Sequence, residues 1–197
     1  MRISVIVGHP RSRSFNCALA RLCVRLLRRN GHTVYFHDLY REKFDPLLPA
    51  AEIPQRAPIR RTIKKYCAEL ADSDGLIIVH PNWWGQPPAV VKGWVDRVMR
   101  PGVAYAFAAG DSGAGVPRGL LKIRKALVLN TSDTPASREK KVFGDPLEII
   151  WKNCIFGFCG AKSFRRKVFR VVAVSSPAQR RRWLAQAEQI VNASFPK

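Results

Sequence analysis

The chain has 197 residues, of which 47% are hydrophobic and 24% charged. That suits one globular domain over residues 1–197 and excludes a disordered or collagen-like chain. Lysine and arginine outnumber acidic residues by 34 to 14, a formal charge of +20, which raises the question of an acidic partner. The basic residues fall in short clusters such as Arg165–Lys167 and Arg180–Arg182, without interleaved aromatics. Nucleic-acid binding is therefore disfavoured against a protein with an arginine-rich surface.

Ile3–Val7 is a short apolar run rich in β-branched residues and predicts a buried strand. A turn over Gly8–Ser14 follows, with Asn16 as a candidate helix N-cap. Leu19, Leu22, Cys23, Leu26 and Leu27 then form a helical stripe that stops at Gly31. Thr33–Phe36 predicts a second strand, and residues 44–58 a proline-rich loop. Ile59, Ile63, Tyr66, Cys67 and Leu70 stripe a second helix, and Leu76–Val79 is a third strand. Pro87 and Pro88 open a helix striped by Val90, Val91, Trp94, Val95 and Val98. Residues 100–121 hold Gly110, Gly113, Gly115 and Gly119 and read as a long loop or mobile lid. Ala126–Leu129 is a fourth strand. A helix striped by Leu147, Ile150, Trp151, Cys154, Ile155 and Phe158 follows it. Val168–Val174 is the predicted fifth strand, and Trp183, Leu184, Ala187, Ile190 and Val191 stripe the last helix.

Strand and helix alternate five times. The expected fold class is α/β: a doubly wound, five-stranded parallel sheet with helices on both faces. Cysteines stand at 17, 23, 67, 154 and 159, an odd number, with Cys23, Cys67 and Cys154 on apolar stripes. Buried thiols in a reducing compartment are expected. Cys154 and Cys159 have no second pair to complete a zinc site, so no metal is expected. With neither a signal-peptide pattern nor an 18-residue apolar run, the cytoplasm is the expected location.

Ligands of such sheets bind beyond the carboxyl ends of the strands, which singles out three loops. The first runs from Gly8 to Asn16. Its helix start, its Ser12, Ser14 and Asn16, and its His9, Arg11 and Arg13 suit a phosphate. An ordinary capped turn is the alternative. It is neither a dinucleotide G-x-G-x-x-G motif nor a P-loop. The second, His80-Pro81-Asn82-Trp83-Trp84-Gly85-Gln86-Pro87, sets adjacent tryptophans at a strand end. They suit the wall of a flat ligand, unless one ring plugs the top of the sheet. The third, Asn130-Thr131-Ser132-Asp133-Thr134-Pro135, can grip the edge of a heterocycle or form a self-bonded turn. His32 and His37 read as surface or packing residues, and no histidine follows position 80.

At these loops the sequence resembles the flavodoxin-like NAD(P)H:quinone oxidoreductase family. That family includes DT-diaphorase and the ancillary flavoproteins of bacterial potassium efflux systems. The resemblance rests on Gly8-His9-Pro10 with Ser14-Phe15-Asn16, and on Asn82-Trp83-Trp84-Gly85 running into Pro88–Trp94. Gly102–Phe107 adds to it. The resemblance implies a flavodoxin-like three-layer sandwich. It also implies a bound flavin, reduced by NAD(P)H and reoxidised by a quinone. FMN is expected in preference to FAD, because nothing in a chain this short is spare for an adenosine site, and ping-pong order is expected, because one pocket would serve donor and acceptor in turn. His9, Ser14, Phe15 and Asn16 would hold the phosphate. Pro81, Asn82, Trp83 and Trp84 would lie along the ring, the two tryptophans setting the geometry of hydride transfer. Thr131, Ser132, Asp133 and Thr134 would face its pyrimidine side. Tyr105 and Phe107 would bind the acceptor, across a homodimer interface. A regulatory flavoprotein touching a membrane transporter and an azo, nitro or chromate reductase are the alternatives. The family's Gly-Gly pair with a following Tyr and His is missing here. Backbone N–H groups of residues 131–134 are the expected substitute beside the flavin, with the Asp133 carboxylate turned outward or capping the loop.

Overall fold

The structure, a computed structural model, describes residues 1–54, 57–111 and 115–197. Five parallel strands form the sheet: β1 (Arg2–Val7), β2 (Thr33–Asp38), β3 (Gly75–Pro81), β6 (Lys125–Ser132) and β7 (Phe164–Arg170). Their spatial order is β2-β1-β3-β6-β7. Both faces of the central strands are covered, which is why they read as unbroken apolar runs. Ile3, Val5 and Val7 pack with Ile77, Val79, Leu127 and Leu129 beneath α1 (Phe15–Arg29) and α6 (Pro177–Ser194). Ile6, Leu76, Ile78 and Val128 face the other way, onto α2 (Arg61–Asp72), α3 (Ala89–Val98) and Trp151. The chain leaves β1 for β2 on one side and returns to β3 on the other. The crevice of the switch point therefore opens between β1 and β3, at their carboxyl ends.

Several boundaries differ from the sequence reading. Ser14, not Asn16, caps α1: its Oγ accepts the Cys17 N–H at 3.2 Å, and Asn16 lies inside the helix with its side chain buried. The third loop is shorter than expected, because Asn130, Thr131 and Ser132 belong to β6. The fifth strand begins four residues earlier than its apolar run. β7 is an edge strand, and Arg166 on it is buried by partners far away in sequence. Residues 100–121 contain two short antiparallel strands, β4 (Tyr105–Ala106) and β5 (Arg118–Gly119). Gly113, part of the expected lid, lies outside the described residues.

The helix after the third loop is the largest departure. A short α4 (Ala136–Lys141) precedes α5 (Pro146–Ile149), which runs into a π-helical stretch over Ile150–Gly157. The wider turn moves the buried positions off the ordinary helical stripe. Leu147, Trp151, Ile155 and Cys159 are buried, while Cys154 and Phe158 are exposed. Cys154 is thus not the buried thiol its stripe suggested, whereas Cys17, Cys23, Cys67 and Cys159 are. His32 and His37 are buried packing residues. No helix among the described residues is long and apolar enough to cross a membrane.

Candidate active site

The first loop leaves β1 packed against α3. A Cβ on Gly8 would fall 2.2 Å from Val91 Cγ2, so the close approach of loop and helix depends on glycine. Within the loop, His9 Nδ1 accepts the Arg11 N–H at 3.0 Å. Burial, helped by the Arg11 charge, lowers the His9 pKa, so the ring is neutral at ordinary pH. Ser14 engages the Cys17 N–H, and the N–H groups of Phe15 and Asn16, in the first turn, have no acceptor within the helix. Asn16 Nδ2 donates to Thr131 Oγ1 at 2.8 Å. Its Oδ1 is buried without a partner. Free N–H groups beside an unmet acceptor suit a ligand that carries both a phosphate and hydroxyl donors. A flavin mononucleotide has that donor set, and the residues present fit it.

The second loop is a tight two-residue turn. Trp83 and Gln86 exchange backbone hydrogen bonds at 3.1 and 3.0 Å. Trp84 and Gly85 between them both have positive φ, 57° and 71°, the type I′ pattern. Gly85 takes this shape freely and tryptophan does not. Asn82 holds the turn: its N–H donates to Thr131 O at 2.7 Å and its Oδ1 accepts the Gly85 N–H at 3.0 Å. Its Nδ2 reaches both carboxylate oxygens of Glu139 at 3.1 Å. The turn separates the two indoles. Trp83 tilts against His9, with ring centroids 6.1 Å apart, while Trp84 is 101% exposed.

Two adjoining hollows result, with Asn82 on the boundary. One of about 140 Å³ lies between the three loops, against His9, Asn16, Trp83 and Thr131. The other, of about 490 Å³, is walled by Trp84, Thr134, Glu139, Phe143 and Pro146. Every flavin-site residue expected from the sequence lines one or the other. Asp133 lines the first, and its Oδ1 accepts the Ala173 N–H at 2.7 Å, tying the third loop to the segment after β7. The Thr134 N–H is already engaged with Ser132 Oγ at 3.1 Å. Tyr105 and Phe107 line neither hollow. Tyr105 packs on Phe107 and Phe158, and the β4–β5 pair sits against Gly160, beside the amino ends of β6 and β7. Within one chain they belong to the opposite end of the strands from the hollows.

Beneath the loops lies a buried polar relay that the sequence did not reveal. His80 is fully buried. Trp151 Nε1–H donates to its Nε2 at 3.0 Å, so Nδ1 carries the proton and donates to Pro81 O at 2.8 Å. Burial, with the Arg166 charge, pushes its pKa down to about 4. A neutral, sealed imidazole cannot hand a proton to a ligand in the hollows. Arg166 Nε donates to Asn130 Oδ1 at 2.7 Å and its Nη1 pairs with Asp145 and Glu148 at 2.9 and 3.2 Å. The relay fixes the carboxyl ends of β3 and β6, from which two of the loops spring. Glu139 and Phe143 were missed as well. Glu139 stands in Arg138-Glu139-Lys140-Lys141, which reads as a solvated charge run. Phe143 carries a weak signal, an aromatic set beside glycine in Phe143-Gly144-Asp145-Pro146.

Comparison with known proteins agrees with this architecture. A family model described as "Flavodoxin-like fold" matches residues 1–193, and the chain belongs to that family. It is 29% identical over 195 residues to a Haemophilus influenzae protein named an uncharacterized NAD(P)H oxidoreductase, covering 97% of this chain and 94% of that one. It is 27% identical over 212 residues to the mouse (Mus musculus) ribosyldihydronicotinamide dehydrogenase [quinone], covering 95% and 89%. The crystal structure of Smu.1420 from Streptococcus mutans superposes with a TM-score of 0.81 at 26% identity, covering 98% and 100%.

Proposed function

We propose that the protein is a flavin-dependent NAD(P)H:quinone oxidoreductase. The observation that carries the reading is the first hollow: a helix start with free N–H groups and the orphan Asn16 Oδ1, closed by Trp83. When bound, the flavin supplies the hydride chemistry, as electron acceptor and then donor. The protein supplies position and field. Phe15 and Asn16 hold the phosphate by backbone N–H groups, with His9 beside it. Trp83, Asn82 and Pro81 form the wall of the ring. With the Thr134 N–H engaged inside its own loop, Asp133 is left as the backbone donor of that loop for the pyrimidine edge. The second hollow takes the nicotinamide and the quinone in turn, which predicts ping-pong kinetics. Relatives named NAD(P)H oxidoreductase and ribosyldihydronicotinamide dehydrogenase support the donor and acceptor classes.

The test is spectroscopic. Protein purified without added cofactor is expected to show flavin absorbance, and heat is expected to release FMN. A colourless protein that also refuses added FMN and FAD overturns the reading. Parallel double-reciprocal lines with NADH and a quinone are the expected kinetic pattern, and intersecting lines overturn the shared hollow.

A further inference from the structure

The larger hollow carries a charge opposite to that of the molecule. Among the described residues no lysine or arginine lines it, although the chain holds 34. Its one ionisable wall residue among those described is Glu139, 2% exposed. Among the described residues the carboxylate receives one hydrogen-bond partner, the Asn82 amide, at 3.1 Å to each oxygen. Two oxygens offer about four acceptor sites, and the amide has two hydrogens to give. Arg170 interacts with Glu139 electrostatically but forms no ion pair with it among the described residues. The remaining wall is apolar and aromatic: Trp84, 101% exposed, Phe143, 54% exposed, and Pro146. A buried carboxylate short of donors, facing exposed aromatic rings, favours a flat cation.

We infer that Glu139 makes this hollow selective for the oxidised, cationic nicotinamide ring and so favours hydride departure from the reduced one. The inference deepens the proposed function and rests on it. In the donor half-reaction the C4–H bond of a neutral dihydronicotinamide breaks. Both bonding electrons leave with the hydrogen as hydride to the flavin, and the ring is left as a pyridinium cation. Positive charge therefore develops where Glu139 and Trp84 stand. A group that binds the cation more tightly than the neutral ring lowers the barrier to that step. A quinone develops no positive charge, so the same carboxylate gives it no equivalent gain.

The experiment is a calorimetric titration of the purified holoprotein with two probes, the 1-methylnicotinamide cation and neutral nicotinamide. The cation is expected to bind about tenfold more tightly, a difference of about 1.4 kcal/mol. In E139Q, which keeps the shape and removes the charge, the preference falls to near parity. In E139D, which keeps the charge, it is largely retained. Equal binding of the two probes by the wild-type protein overturns the inference, and so does a preference that survives in E139Q. A colourless protein that still shows the Glu139-dependent preference upholds the inference about the hollow and overturns the flavin reading alone.

Discussion

Trp84 sits at φ 57°, where a non-glycine residue costs about 1–2 kcal/mol. The turn tolerates this because Asn82 and the Trp83–Gln86 bridge fix it on both sides. The strain holds an indole out over the larger hollow. Asparagine accepts the left-handed conformation far better. Trp84→Asn is therefore expected to raise stability in urea by about 1 kcal/mol while lowering turnover more than flavin content. His80 shows a second residue-scale effect. Its folded pKa of about 4 lies below the ordinary 6.5, so between those values the unfolded chain takes up a proton that the folded one refuses. Stability contributed by the neutral ring is complete above pH 6.5 and declines as the pH falls towards 4, by about 2 kcal/mol at pH 5. His37 runs the other way. Burial pulls its pKa down, but bonds and charge from Glu42 and Glu69 outweigh that and raise it. Its contribution is therefore complete below pH 6.5 and lost as the pH rises. Urea melts at pH 7 and pH 5 separate the two effects. His80→Gln is expected to flatten the His80 part of the slope, while the His37 part stays common to both proteins.

At the scale of elements, what the sequence showed depended on where each element finds its partners. β1, β3 and β6 were legible because they are buried on both faces and need nothing but apolar side chains. β7 was legible only in its later residues, because this edge strand opens on Phe164-Arg165-Arg166-Lys167, which carries no apolar run. Arg166 on it is buried against Asn130, Asp145 and Glu148, which no local pattern announces. That the three loops come together was legible from strand order, and they line the two hollows of the candidate site. Glu139 was not, because its burial is set by how the short α4 folds back over Asn82. The proline-rich segment was legible as a loop but not as an anchored one. Arg97 on α3, 1% exposed, donates to both oxygens of Glu52 at 2.8 to 3.2 Å and to Asp45 O at 2.7 Å. Glu52→Gln removes the buried carboxylate and leaves that guanidinium only the more exposed Asp45 carboxylate, 3.3 Å from its Nη1. It is expected to cost about 3 kcal/mol in urea unfolding. A cost below about 1 kcal/mol would show the loop is held by apolar contacts instead.

At the scale of the whole molecule, Tyr105 and Phe107 lie by the amino ends of the strands, away from the hollows of their own chain. If they roof an acceptor pocket, they do so for a second copy. Light scattering is expected to give twice the 22.2 kDa of one chain. Phe107→Ala is expected to raise KM for the quinone more than KM for NADH. A fully active monomer at micromolar concentration would remove these residues from the pocket.

The π-helical turn that carried Cys154 off its stripe leaves the five thiols in two classes. Burial raises the Cys23 pKa to about 12 and those of Cys67 and Cys159 to about 11, and raises that of Cys17. Little thiolate forms at those four positions. Cys154 alone among the described cysteines is open to solvent. A maleimide or a disulfide reagent is therefore expected to react rapidly with one sulfur per native chain, and with all five after denaturation. That gives the unmodified protein a built-in attachment point. A nitroxide placed there, with no engineered mutation, would turn the question of one chain or two into a spin–spin distance.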